Sequence, residues 1–326
     1  MPRIGRLESV GIGKEASRGV GVPASHTLPR IGYTFDDKSN KVVSSEVLGH
    51  ISGNGNQAVN TALFSEGNID GEVNVNSFGL ILLALFGSES VSTVSGAKKH
   101  AYSLVNSNQH QSLSIHLDSG DGSILDRIYE GCVLDSLELN IVPDDFVKFV
   151  AGVKGRKGQD SSFTPAYAED FKFIGRDVTV KIASDTSGLA GASGLSLKEV
   201  KLSIQKNADY NFTLGTLEPE NIPNKQIVVQ GTITLDHESS TFRDYMLNGD
   251  YKALSIHLNN TRDAISTNTP QMYFELPVVE FFEWERDNKA ESIITQTINF
   301  RALLDLSTGT PRLFSDAYII NAENAY

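Results

Sequence analysis

The chain has 326 residues, of which 40% are hydrophobic and 21% charged, so its composition is that of a folded globular protein and excludes an intrinsically disordered one. The formal charge of −12 disfavours a protein that grips nucleic acid through its phosphates. The single cysteine, Cys132, excludes an internal disulfide and a cysteine-based zinc site.

Residues 1–30 mix Gly, Pro and Ser without periodicity and predict an extended arm or a long loop. Lys14 follows Gly13, but Glu8 and Glu15 stand where a phosphate-binding loop needs Gly and Ser or Thr, so that motif is excluded. The next segments, 31–35 and 42–51, predict two strands joined by a turn at 36–40.

The apolar run 78–87 predicts a short buried helix. Asn76 and Ser77 precede the run as candidate N-cap residues, and Gly87 ends it as a candidate left-handed C-cap. The run is about half the length needed to cross a bilayer, so we expect no membrane insertion. The alternating segment Glu72–Asn76 predicts a strand leading into the helix.

A polar linker at 88–97 and strands near 101–105, 112–117, 124–129 and 136–142 follow the helix. The glycine-rich segment 152–165 predicts a long basic loop carrying Lys154, Arg156 and Lys157. This loop is either a solvated linker or a segment that reaches an acidic neighbour.

The second half repeats the order of the first. Leu113–Leu117 and Leu254–Leu258 are identical strings separated by 141 positions, and strands beginning near Tyr129 and Tyr273 follow them. Thr232–Asp236 matches the strand before the first helix, and 241–249 matches the helix. We therefore predict two duplicated, mainly antiparallel β-sandwich or half-barrel domains, each with one short helix. The first spans 1–160 with the N-terminal arm, and the second spans 161–326 with a C-terminal arm.

The remaining strands of the second half are expected near 178–182, 199–205, 226–236, 253–258, 272–279 and 293–303. Residues 307–326 predict a terminal strand or arm.

Catalysis and ligand binding have weaker support. Acidic residues crowd at Glu275, Glu280, Glu283 and Glu285. Glu283 and Glu285 are two positions apart and would share one face of a strand, as the two carboxylates of a glycosidase could. A solvent-exposed strand face explains the same charges. The repeated histidines, His116 and His257, lack a second ligand at metal spacing and predict surface or interface positions. The aromatic residues Phe281, Phe282 and Trp284 suit packing or a sugar-stacking platform. We expect no catalytic residue, cofactor or metal.

Several segments resemble the tail tube (major tail) proteins of long-tailed bacteriophages. The resemblance rests on Gly13–Ala16 with Gly21–Pro23, Glu66–Val73 with the helix ending at Gly87, Gly131–Leu137, and Val228–Ile233. It implies a β-sandwich tube domain with a flanking helix, rings that stack along an axis, and a lumen through which genomic DNA leaves the capsid. Rings of that family have six tube domains, so three chains with two domains each would close a pseudo-sixfold ring. The resemblance also implies assembly in the host cytoplasm, a place in the virion tail, and contacts with other tail proteins.

On this hypothesis the polar faces of alternating strands line the lumen, and an ordinary solvent face remains the alternative. The candidate lumen residues are Glu72, Asn74, Asn76 and Glu138, with Thr232, Thr234 and Asp236 in the second half. The candidate inter-ring contacts are Lys14, Lys154, Arg156 and Lys157. DNA is expected to pass without specific binding. A β-sandwich carbohydrate-binding or adhesin module is the second hypothesis, and a glycosidase is the third.

Overall fold

The computed structural model describes residues 4–47, 49–52, 58–120, 126–167 and 170–326. Antiparallel strands dominate, which confirms the predicted mainly β fold. The strands are β1 Ser9–Lys14, β2 His26–Leu28, β3 Gly32–Tyr33, β4 Asp36–Val43, β5 Ala58–Glu72, β6 Gly87–Val94, β7 Ala97–Leu104, β8 Leu113–Asp118, β9 Arg127–Ile141, β10 Lys148–Gly155, β11 Gln159–Asp160, β12 Val178–Ala183, β13 Leu197–Gln205, β14 Val228–Asp236, β15 Tyr251–Asn259, β16 Gln271–Asp287, β17 Thr295–Ala302 and β18 Asp316–Asn321. The helices are α1 Phe78–Phe86, α2 Thr186–Leu189 and α3 Thr241–Asn248. The second half therefore has a short helix, α2, that the sequence pattern does not predict.

One sheet layer runs through both halves of the chain. Its strands lie in the order β5, β10, β9, β13, β14, β17 and β16, all antiparallel, and β3 and β4 pair with the outer side of β5. The pairing of β9 with β13 crosses the predicted boundary at residue 160, and β18 pairs with β7 across it again. The division into two domains stays a prediction, since the halves share a hydrogen-bonded sheet.

The two faces of this layer differ sharply. Cross-strand registers place an apolar row on one face, and every side chain in it is buried. The side chains of this row are Phe149, Leu139, Leu202, Phe300 and Phe281. Glycines stand in the row at Gly71 and Gly231, each beside a phenylalanine ring, Phe149 and Phe300 respectively. The core lies on this face, because burial of apolar area is the main favourable term in folding.

The predicted helix at 78–87 is confirmed as α1, whose residues are all buried. Gly87 adopts φ of 91°, the left-handed conformation of a C-cap that favours glycine. Ser77 occupies the N-cap position, but its side chain does not accept the capping hydrogen bond that was expected of it. Asp170 accepts from the backbone N–H of Asn76 at 2.9 Å and of Ser77 at 3.2 Å instead.

The two halves pair corresponding strands in the same register. In the first half β1 lies beside β8, with Val10 opposite Leu117. In the second half β12 lies beside β15, with Val178 opposite Leu258. The repeated strings thus occupy matching places. The tyrosines do not match, because Tyr273 lies opposite His257, whereas Ile128 lies opposite the equivalent His116.

Several local predictions are wrong. Residues 1–30 are neither an arm nor one long loop, because β1 is paired on both sides, with β2 and β8, and only 15–25 between β1 and β2 form a loop. Residues 36–40 form part of β4 instead of a turn, and 88–97 contribute β6 of a hairpin instead of a linker. The basic loop begins inside β10, which continues to Gly155. In each case pairing with a neighbouring strand overrides a local composition typical of turns.

Two further predictions need correction. The predicted strand Glu72–Asn76 is only partly a strand: β5 ends at Glu72, Asn74 forms an isolated bridge with Lys172, and the turn into α1 begins at Val75. His116 is buried instead of lying at the surface, and its Nε2 lies 2.8 Å from the carbonyl oxygen of Val22. Residues 48, 124 and 125, which fall in two predicted strands, lie outside the described residues.

Candidate assembly surface

A broad polar face covers the side of the sheet layer opposite the core. The same registers that build the apolar row place polar side chains here, because successive side chains of a strand point to opposite faces. One cross-strand row contains Asp70, Val150, Glu138, Ser203, Gln230, Arg301 and Glu280. The adjacent row contains Glu72, Lys148, Asn140, Lys201, Thr232, Asn299 and Glu283.

Basic side chains on and beside this face are neutralised locally. Lys201 lies 3.0 Å from Glu199, and Arg301 lies 2.6 Å from Glu280. Glu138 is exposed near the middle of the face and forms no ion pair with any described residue. Exposed ion pairs contribute little stability. The consequence of these ion pairs is that the positive charges of Lys201 and Arg301 are neutralised, whereas carboxylates such as Glu138 stay unpaired on the same surface.

The structure brings most of the predicted lumen residues together. Glu72, Glu138, Thr232 and Thr234 lie on the polar face, and Thr232 donates a hydrogen bond to Asn299 Oδ1 at 2.8 Å. Asp236 lies at the end of β14, 3.4 Å from Lys198 Nζ.

Asn74 and Asn76 lie elsewhere, beyond the end of β5. Asn74 is 2% exposed and donates to the carbonyl oxygen of Glu72 at 2.9 Å. Asn76 Oδ1 accepts from the backbone N–H of Ala322 at 3.3 Å. Both asparagines therefore stabilise the turn into α1 and not the polar face.

Three of the four predicted inter-ring residues already have partners within the chain. Lys14 Nζ donates to the carbonyl oxygen of Tyr326 at 2.6 Å, and Arg156 donates to that of Glu220 at 2.9 Å. Lys154 donates to Ala208 O at 2.7 Å and lies 3.2 Å from Asp135. Lys157 is exposed and remains a candidate for an axial contact.

The sheet layer ends in two open edges within the described residues. At one end β3 and β4 pair with β5 alone. At the other end β15 pairs with β16 as far as Glu280, and the edge from Phe281 to Asp287 has no strand beside it on that side. Unpaired edges of this kind are templates for a further strand.

Two contacts near α1 have no local sequence signal. Lys206 follows β13, is fully buried, and donates from Nζ to the carbonyl oxygen of Ala84 at 2.9 Å. Burial lowers the pKa of this amine to about 7; the nearby Arg18 charge lowers it further, and Asp135 opposes both. Asp170 caps the other end of the helix, and its burial raises the pKa of that carboxyl. Their helix partners lie far away in sequence, so no motif could reveal them.

The residues of the catalytic and sugar-binding alternatives are dispersed or occupied. Glu283 accepts from Asn299 Nδ2 at 2.5 Å, and Phe281 is buried. Trp284 is half-buried and donates to Gln296 Oε1 at 2.9 Å, so its ring is not a free platform. Among the described residues no cluster of His, Cys, Asp and Glu could hold a metal ion. The helices of the described part are all too short or too polar to cross a membrane.

The fold and its polar face define a mainly β structural protein with a continuous sheet surface and two open edges. The model of the phage tail tube protein family matches residues 5–302. The chain therefore belongs to this family, and with it to the structural components of the virion tail, which assemble with themselves and with other tail proteins. The family is not a family of enzymes. A comparison with curated proteins found no match.

Proposed function

We propose that this protein self-assembles into stacked rings that form the tail tube and conduct genomic DNA during infection. The observation that carries the proposal is the polar face, which runs without interruption across strands of both halves and ends in two open edges. Three chains, each with two repeats, would close a ring with pseudo-sixfold symmetry. Assembly would take place in the host cytoplasm before the tail joins the capsid.

The polar face supplies the wall of the lumen on this proposal. Its carboxylates, such as Glu138, repel a polyanion, and its cations are paired with neighbouring acids. A duplex carries one negative charge per about 1.7 Å of its length, so free lysines along the wall would retain it. A wall of this composition lets DNA slide without specific binding.

Axial stacking needs a second contact surface. The first part of β5, Ala58–Phe64, pairs with β4 and with no other described strand. This ribbon exposes Val42, Val43 and Val59, each more than half accessible. Exposed apolar patches mark interaction surfaces. The ribbon and the segment after β10 that carries Lys157, whose neighbour Gly158 donates its N–H to Asp37 of β4 at 2.8 Å, are therefore the proposed contact with the next ring.

Assembly is tested first by electron microscopy and mass photometry of concentrated, purified protein. Hollow tubes, or rings with the mass of three chains, are the expected result. Rings of six chains would refute the count of three. A protein that stays monomeric at all concentrations, even when offered preformed tube ends from the same virion, would refute self-assembly.

Labelling of cysteine variants with small and bulky reagents tests whether the polar face lines the lumen. Glu138→Cys should react with a small maleimide in tubes but not with a bulky polymer-linked maleimide, because the polymer cannot enter the lumen. Ser92→Cys, on the exposed strand β6 outside the sheet layer, is the control and should react with both. Equal reaction of both variants with the polymer reagent in tubes would place Glu138 outside the lumen.

A further inference from the structure

We infer that the ribbon of one ring lies over a groove beside α3 in the next ring, with Lys41 facing Glu238 and Val43 covering the apolar walls of the groove. This inference rests on the proposed stacking of rings and names the surface that receives the ribbon. The partner is a second copy of this chain.

The ribbon and the groove lie at opposite ends of the sheet layer. The ribbon extends beyond the end at which Ser65 pairs with Gly155, and the registers carry this end across the layer to Gln205 and Val228. The groove lies at the other end, where the pairing of β14 with β17 reaches Asp236. Strands of a closed barrel are tilted by roughly 35–45° from its axis, so the two ends of the layer lie at opposite ends of a ring and meet when rings stack.

The groove is a gap between α3, the end of β14 and the segment that follows β12, with a volume of about 380 Å³. Of the residues of α3, all of which the structure describes, Phe242 alone is buried, whereas α1 is buried along its whole length. The helix of the second half therefore leaves its part of the core open. The walls of the groove are apolar and half-buried, so that a side chain from outside can reach them: Ile182, Leu195, Leu235 and Tyr245.

The groove and the ribbon are complementary in charge. Glu238 is exposed on the rim of the groove and forms no ion pair with any described residue. Asp236 adds a second carboxylate to the rim, 3.4 Å from Lys198. On the ribbon Lys41 is exposed, and within the described part of the chain it has no acidic partner either. Opposite charges that stay unpaired within each copy favour the association of two copies.

One face of the ribbon carries both the cation and an apolar side chain. Lys41 pairs with Asn60, and Val43 pairs with Ala58. Since alternate side chains of a strand share a face, Lys41 and Val43 point in the same direction. Val43 is 58% exposed. Two strands alone are marginally stable in water, so a surface that covers this face stabilises the ribbon.

Exchange of the two charges tests the contact in the full-length chain. Lys41→Glu and Glu238→Lys should each reduce the fraction of rings found in tubes at least about tenfold, because each places like charges across the contact. The double variant Lys41→Glu/Glu238→Lys restores opposite charges and should recover the tubes. Sedimentation separates tubes from rings, and electron microscopy identifies both.

Controls separate this effect from misfolding and from a general effect of charge. Both single variants should keep the melting temperature of the wild-type monomer and still form rings, since both side chains are exposed. Ser92→Glu and Ser92→Lys, on the exposed strand β6, should form tubes as the wild type does.

Photocrosslinking provides the second measurement. A benzophenone amino acid replaces Val43, the protein is assembled and irradiated, and mass spectrometry should find crosslinks to residues 194–196 or 235–245 of another chain. Because the contact joins successive rings, the covalent series on a denaturing gel should extend beyond the number of chains in one ring. The same amino acid at Ser92 should not label the groove.

Two results would overturn the contact and leave the stacking of rings intact. One is a double variant that forms tubes no better than the single variants, or single variants that form tubes as well as the wild type. The other is a set of crosslinks from Val43 that reaches only other surfaces. Failure of the unaltered protein to form any tube would instead overturn the proposed stacking, and this inference with it.

Discussion

Replacement of the buried lysine by methionine should remove a specific part of the pH dependence of stability. Lys206 has a pKa of about 7 in the native state, lowered mainly by burial from 10.5. The unfolded chain therefore binds one proton more than the native chain between these values. Because stability rises with pH wherever the unfolded state binds more protons, this lysine makes the native state more stable as the pH rises from about 7.

The size of this change in stability follows from the one extra proton that the unfolded chain binds over the pH range of the experiment. The slope approaches about 1.4 kcal/mol per pH unit, and between about pH 7 and about pH 9.5 it accumulates to about 3 kcal/mol. The free energy of unfolding of wild type should gain this amount relative to Lys206→Met across that range. Methionine suits the site because its unbranched apolar side chain fills irregular gaps.

The assay is urea unfolding of dilute, unassembled protein at several pH values. Lys225→Met is the matched control, because Lys225 follows in the same connection between β13 and β14 and its side chain is 59% exposed. That variant should follow the pH profile of wild type. Parallel profiles for wild type and Lys206→Met would refute the argument, since they would show that Lys206 does not change its protonation on unfolding over this range.

Two further pairs of variants test the ends of the helices. Asp170→Ala should destabilise the fold by about 1–2 kcal/mol through loss of the α1 cap, measured by urea unfolding, whereas Asp185→Ala, which uncaps only the four-residue helix α2, should cost less. Gly249→Ala should cost about 1–2 kcal/mol of left-handed strain alone, since no atom lies near its added methyl group. Gly87→Ala should lower the melting temperature further, because its methyl group would also lie 2.9 Å from His110; equal losses at the two glycines would contradict this.

The sequence predicts those elements whose signals are local. The apolar run and Gly87 predict α1, which is buried on every side, and the apolar positions of Leu113–Leu117 and Leu254–Leu258 predict two strands, although the polar side chains between those positions in β8 are buried as well. The turn predicted at 36–40 fails for the opposite reason. Its residues are typical of turns, but pairing with β5 holds them extended.

The polar face could be predicted only in part. Alternation indicates that Glu72, Glu138 and Thr232 leave the core, but their placement in adjacent rows depends on registers between distant strands. Asn74 continues the alternation beyond Glu72 and was predicted to share the face. It fails because β5 ends at Glu72, and Asn74 is buried where it pairs with Lys172 in an isolated bridge, a contact between distant residues that alternation cannot show.

The contacts at α1 also distinguish the junction within the chain from the proposed junction between chains. Asp170 and Lys206 both belong to the predicted second domain, yet they satisfy opposite ends of a helix in the first. The halves are therefore joined by the β9–β13 and β18–β7 ladders and by these two polar contacts. The proposed junction between copies would rest on the open strand edges of β3, β4 and β16. We expect it to be the weaker joint, so that denaturant should separate rings into folded monomers before it unfolds the chain.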